Sequence, residues 1–263
     1  MNDRVSITID KHVAHVMLDR AAKFNALDRK MFAALDAAAD EIAAADAIRA
    51  VVLHGAGDNF CAGIDTGMFS DPDARIDASL MEPVEPSVAN LFQRAAYAWR
   101  ELPMPVICAL RGITYGGGLQ IALGADLRIA SPDTRFSIME TKWGLIPDMA
   151  LSTTLRGIVA VDRVKELAWS ARVFGAEEAL DLGLVTAIDE DPLAAATALA
   201  KDYAAKSPAA IRGIKQLVNE AWQLSEAEAL ALEARLQLGV IGSPNQVEAV
   251  MANLQKREPD FQD

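Results

Sequence analysis

The chain has 263 residues, a formal net charge of −12 and a pI near 4.7. That balance argues against nucleic-acid binding, which draws its affinity from a basic surface. The 52% hydrophobic and 24% charged content is ordinary for a soluble globular enzyme, long enough for one large domain with a C-terminal appendage.

The alternating "VSITID" and "HVAHVMLD" predict a β-hairpin over residues 5–18, with His12 and His15 on or near its solvent face. "RAAKFNAL" reads as a loop. Asp28 is placed to cap a helix in which Met31, Leu35, Ala38 and Ile42 recur at helical spacing, ending about Ala45. "IRAVVLHG" is a buried strand followed by the loop "GAGDNFCAGID". Residues 66–87, with prolines and aspartates in quick succession, read as irregular. A helix is expected from Val88 to Glu101, and "MPVICALRG" is a second buried strand.

Next come three consecutive glycines, Gly116, Gly117 and Gly118, which open a helix-like segment. "DLRIA" and "TRFSI" follow as short strands, then further helices, and "AEEALDLGLV" reads as helix, glycine break and strand. Beyond Pro192 three helices are predicted, "LAAATALAKDYAAK", "PAAIRGIKQLVNEAW" and "SEAEALALEARLQLGV", the last two capped by Ser207 and Ser225. The rhythm of strand, strand and helix followed by an all-helical tail fits one α/β core, residues 1–190, with a helical region over residues 191–263.

No cationic-then-apolar leader pattern opens the chain, and no apolar run approaches the ~18 residues of a membrane span. Cys61 and Cys108 form no metal-like cluster, so both are expected as reduced thiols in a cytosolic protein without membrane association. His12, His15 and His54 are too few and too scattered for a histidine triad or a histidine metal site, and no metal is expected.

Two dinucleotide motifs do not fit the glycine run. A P-loop needs Lys-Ser/Thr where Leu119 and Gln120 stand, and the spacing is not G-x-G-x-x-G. No G-x-S-x-G offers a serine nucleophile. Two uses remain: close strand–helix packing, or free N–H groups at a helix start aimed at an oxygen. The loop "FCAGID" also follows a buried strand, so two loops can each lend one N–H to an oxyanion.

With "RAAKFNAL", "FCAGID", "PVICALRGITYGGGLQIALGADLRIA", "RFSIMETKWGLIP" and "AEEALDLGLV" in this order, the chain resembles the crotonase family of enoyl-CoA hydratases and isomerases. The resemblance implies a spiral core of repeated ββα units and a C-terminal helical region that builds trimers or dimers of trimers and completes the ligand site. It implies an acyl-CoA thioester ligand, with CoA part of the substrate and no separate cofactor. Ile64 and Gly117 would supply the oxyanion-hole amides; Ala62 and Gly116 would lie against CoA. Lys23 would face a CoA phosphate, against the plain alternative of a solvated lysine.

The resemblance also assigns acids. Hydratases of the family carry a glutamate three residues after the middle glycine and another in the downstream loop. The second matches Glu140, but the first falls on Gln120, and an amide cannot shuttle a proton. Asp148 matches an extra aspartate of the family's dienoyl-CoA isomerases, although those keep an acid at the position of Gln120. Glu140 could instead be an exposed loop carboxylate, Asp148 a helix cap, and Trp143 either a pocket wall or core. Asp126 reads as a structural turn residue. The expected chemistry is double-bond migration through Glu140, aided by Asp148; the alternatives are a 2-enoyl-CoA hydratase or a catalytically weak acyl-CoA binder.

Overall fold

The computed structural model describes residues 3–70 and 78–263. Part of the irregular stretch read over 66–87 thus lies outside the described residues; on either side of it are single 3₁₀ turns, Thr66–Phe69 and Ala78–Met81.

The predicted hairpin forms as β1 (Val5–Asp10) and β2 (Val13–Leu18), paired antiparallel. His12 and His15 are half-buried on it, His12 Nδ1 lying 2.9 Å from the Ala47 carbonyl. From β2 onward the sheet is parallel. It runs β1-β2-β3-β4-β6-β9, with β3 (Ala50–Gly55), β4 (Val106–Leu110), β6 (Leu127–Ala130) and β9 (Ala187–Ile188). The near-continuous apolar runs of β3 and β4 are what a parallel strand covered on both faces requires.

A second layer lies across the ends of these strands. Its ladder is β5 (Ile113–Tyr115), β7 (Arg135–Ser137) and β8 (Phe174–Gly175), extended by parallel bridges from Thr114 to Cys61 and from Ile64 to Leu27. Each winding of the chain contributes one strand to the large sheet, one to this layer and then a helix: the repeated ββα spiral. Its helices are α1 (Arg29–Ala43), α2 (Leu91–Glu101), α3 (Gly117–Gly124), α4 (Leu151–Thr154), α5 (Val161–Ser170) and α6 (Ala176–Asp181).

Capping fixes most boundaries. Asp28 accepts the Met31 N–H as expected. The helix expected from Val88 starts later because Asn90 and Gln93 close a reciprocal capping box, which sets the first turn at Leu91. After α6, Leu184 and Val185 are core residues rather than strand, and β9 begins only at Ala187.

The tail has four helices rather than three: α7 (Pro192–Ala204), α8 (Pro208–Ala221), α9 (Glu226–Val240) and α10 (Pro244–Gln255). The last is announced by "GSPNQ", where Ser243 caps and Pro244 takes the first helical position. Ser225 closes a capping box, whereas Ser207 occupies the cap position without bonding the helix. With Pro208 at the first helical position, that end already lacks one N–H to be capped. Ala196, Ala200 and Ala204 of α7 pack on Val13, Val52, Ile107 and Ile129, sealing the outer face of the sheet. Lys215 of α8 reaches inward to the Trp99 and Met104 carbonyls and pairs with Asp126 at 2.8 Å. Asp126 also accepts the Val106 N–H, so it is a structural residue, as its turn position suggested.

Candidate active site

Each glycine of the run is required by a different neighbour. Gly116 has φ +51°, and a Cβ there would stand 3.3 Å from Glu140 Oε1. At Gly117 a Cβ would meet Leu27 and the Met149 sulfur, both at 2.8 Å; at Gly118 it would strike the Cys61 carbonyl and, at 2.8 Å, the Cys61 Cβ. Gly63, with φ +83°, brings the other loop under Tyr115 and Gly117. The run therefore serves close packing, and that packing presses two loops together.

Two N–H groups are left facing the seam. The Gly63 carbonyl accepts the Leu27 N–H at 2.8 Å. Because a trans peptide points its C=O and N–H in opposite directions, Ile64 N–H is turned away from Leu27 toward the α3 side. The Gly116 carbonyl likewise accepts the Gln120 N–H along α3, so Gly117 N–H points out of the helix start. Neither N–H has a protein partner among the described residues.

Glu140 opens a 3₁₀ turn (Glu140–Trp143) after β7 and is 9% exposed; Gln120, one turn into α3, is 1% exposed. Gln120 Nε2 donates to Glu140 Oε1 at 2.6 Å, and Gln120 Oε1 accepts the Met149 N–H at 2.9 Å. Glu140 Oε2 is buried without a hydrogen-bond partner among the described residues. Burial pushes the Glu140 carboxyl above the usual carboxylate range, against the lowering effect of backbone N–H groups and of Gln120, with nearby Asp148 adding to the rise. Asp148 is also raised, by desolvation. It does not cap a helix: α4 begins beyond it, after Ala150.

These groups line a cavity of about 790 Å³. Ile64, Gly116, Gly117, Gln120, Glu140 and Asp148 all border it, as do Lys23 and Ala62. The opposite walls are apolar, from Phe32, Met68, Phe69, Met81, Phe92 and Ile146. Trp143 is a wall rather than core, 44% exposed with its ring 5.6 Å from that of Phe69. Lys23 lies in the 3₁₀ turn Ala21–Lys23 at the rim. Among the described residues no group of three His, Cys, Asp or Glu side chains is placed to hold a metal ion.

Residues 8–263 match the family model described as enoyl-CoA hydratase/isomerase. The chain belongs to that family. A Bacillus subtilis protein named "Probable enoyl-CoA hydratase" is 31% identical, the match covering 98% of each chain. The mouse mitochondrial Delta(3,5)-Delta(2,4)-dienoyl-CoA isomerase is 32% identical over 94% of this chain and 78% of its own. The solved enoyl-CoA hydratase from Bacillus anthracis superposes with a TM-score of 0.88 at 27% identity, over 98% of both chains. Relatives thus carry both hydratase and isomerase names.

As a member of the enoyl-CoA hydratase/isomerase family, the chain holds its site with residues that periodicity does not flag. Asn25, fully buried with φ +54°, donates to the Ala56, Asn59 and Phe60 carbonyls and accepts the Arg20 N–H, clamping the first loop beneath the second. Arg20 pairs with Asp65 at 2.7 Å, while Asp65 accepts the Gly67 N–H and so fixes the chain just past Ile64. Asn25 stands inside "RAAKFNAL", but the only sequence signal was a polar residue between apolar ones.

Proposed function

We propose that the protein moves a double bond within an acyl-CoA thioester, with Glu140 as the single proton carrier. The thioester oxygen would sit between Ile64 N–H and Gly117 N–H. Glu140, ionised, takes a proton from the carbon next to the thioester carbonyl; the electron pair moves into an enolate, whose negative oxygen the two amides stabilise. The pair then returns through the chain, the existing double bond shifts, and Glu140 gives the same proton to the carbon at the far end. No water is consumed and the carboxylate is regenerated.

The observation that carries this reading is the amide at position 120. Hydration asks for one group to deprotonate water and another to protonate carbon. Gln120 can do neither, and both ends of its amide are engaged by Glu140 and Met149. Asp148, at the cavity mouth, is then an auxiliary acid acting on the far end of longer conjugated substrates. The likeness to a dienoyl-CoA isomerase supports the same reading. Lys23, Ala62 and Gly116 are proposed to meet the CoA portion, the ammonium of Lys23 facing a phosphate.

Incubation with 2-enoyl-, 3-enoyl- and dienoyl-CoA, followed by absorbance of the conjugated thioester, tests it. Isomerisation of 3-enoyl- or dienoyl-CoA is expected. Hydration of 2-enoyl-CoA at ordinary enzyme rates would replace this reading with a hydratase, and tight binding without turnover would leave a binding protein. We further place this chemistry in a cytosolic homotrimer or dimer of trimers. Exposed apolar side chains on the tail helices, including Ile214, Trp222, Leu230, Leu238 and Leu254, support self-association. Sedimentation measures it, and a monomer would remove that part.

A further inference from the structure

We propose that Gln120 is a positioning residue that makes Oε2, and not Oε1, the proton-carrying oxygen of Glu140. The inference rests on Glu140 being the proton carrier and deepens that reading to a single atom. It starts from a donor whose direction is fixed. The Met149 backbone N–H can only donate, so the Gln120 atom 2.9 Å away from it is the amide oxygen. The other end of the amide, facing Glu140 at 2.6 Å, is then NH₂ and also a donor. An amide turned end for end would set NH₂ against the Met149 N–H and a carbonyl against the carboxylate, losing both bonds.

Glu140 Oε1 is therefore an acceptor in both protonation states. It is enclosed by Gln120 on one side and by Gly116 on the other, where a Cβ would stand at 3.3 Å. A proton on the carboxyl must reside on Oε2, the oxygen that is buried without a hydrogen-bond partner among the described residues. The bond to Gln120 also opposes rotation of the carboxyl that would exchange its two oxygens. Among the described residues, Asp148, from the segment ahead of α4, is the charged group that acts on Glu140, and it acts alike whichever way the amide points. A carboxylic acid at position 120 would remove this asymmetry. One of its oxygens would still accept from Met149, but the other would meet Glu140 only by sharing a proton, and the two acids would titrate as a pair.

Infrared spectroscopy of the full-length protein at acid pH reads the protonated carbonyl band of Glu140 directly, identified by its loss in Glu140→Gln. In the wild-type protein this C=O accepts from Gln120, so its band should move to higher wavenumber in Gln120→Met. In that variant kcat should fall roughly tenfold to a hundredfold with little change in KM, as expected when a proton carrier loses its aim. An unmoved band in folded Gln120→Met overturns the proposal. Gln120→Glu provides a second test, because its acid limb in kcat/KM should split into two steps; a single unshifted step overturns the proposal equally. Isomerisation persisting in Glu140→Gln would instead remove the functional reading, and the infrared result would stand independently of it.

Discussion

Adding one carbon at Gly118 should disable the site by moving its two halves apart. In Gly118→Ala the new Cβ stands 2.8 Å from the Cys61 Cβ, with the Cys61 carbonyl oxygen closer still. Ordinary carbon–carbon contact is about 3.5–4.0 Å, so α3 and the 61–64 loop must separate by about 1 Å. Neither side can yield cheaply: Cys61 is held by backbone hydrogen bonds to Ile113 and Tyr115, and α3 is buried along its length. Overpacking of this kind costs about 1–3 kcal/mol, offset in part by the better helix propensity of alanine, up to about 1 kcal/mol. The functional loss should be larger. Oxyanion donors act within about 2.7–3.1 Å, and removing one costs about 10²–10³ in rate. Isomerisation of 3-enoyl-CoA should thus fall at least a hundredfold, while thermal unfolding registers only a modest drop. Near-normal kcat in folded Gly118→Ala would refute the idea that the apposition of Ile64 and Gly117 amides matters to catalysis.

Glu140→Gln should abolish proton transfer while leaving thioester binding largely intact, measured by turnover and by calorimetry with a non-reactive acyl-CoA. It should also stabilise the fold at neutral pH by on the order of 1 kcal/mol. The sign follows from the raised carboxyl: the folded state holds that proton more tightly than the unfolded chain, so stability is greatest below the unfolded pKa and is lost as pH rises through the folded one. The gain in Glu140→Gln should accordingly shrink at acid pH, and a gain independent of pH would contradict burial as its origin. For the same reason the wild-type kcat/KM should fall, on acidification, through a value above the usual ~4.3 of glutamate. Asn25→Ala should cost on the order of 2–4 kcal/mol in denaturant unfolding, since it strands buried carbonyls and the Arg20 N–H together. Gly213→Ala, in α8 where an added Cβ would meet no atom of the described residues within 4 Å beyond its own stretch of helix, should raise stability by about 0.5–1 kcal/mol; a loss instead would show another chain packed at that point.

The elements that a reader of the sequence can place are those with a period or a cap. Asp28, Ser225 and the alternation of β1 and β2 mark their elements directly, and the apolar run 106–110 can only be a covered strand. Three-residue β5 and β7 are too short to show a period, and their pairing is set by the layer they join. The site was legible in outline because Gly116, Gly117 and Gly118 demand close neighbours. Which neighbours these were could not be read: Cys61, Leu27, Met149 and Glu140 approach from four separate segments. The bond from Gln120 to Glu140 spans twenty residues and has no local signature. Asn25 illustrates the same limit, since its worth lies in three carbonyls of a loop more than thirty positions away.

Cys61 turns the tightest contact of the site into a built-in reporter. Its thiol is fully buried, donates to the Asn25 carbonyl at 3.1 Å and is pushed up to about 12 by burial. A thiol so placed stays protonated and shielded from alkylating reagents while the loops remain closed. Its rate of labelling therefore counts excursions in which the 61–64 loop lifts from α3. Slower labelling with a bound thioester would then clock, without any attached dye, how firmly a ligand holds that seam shut.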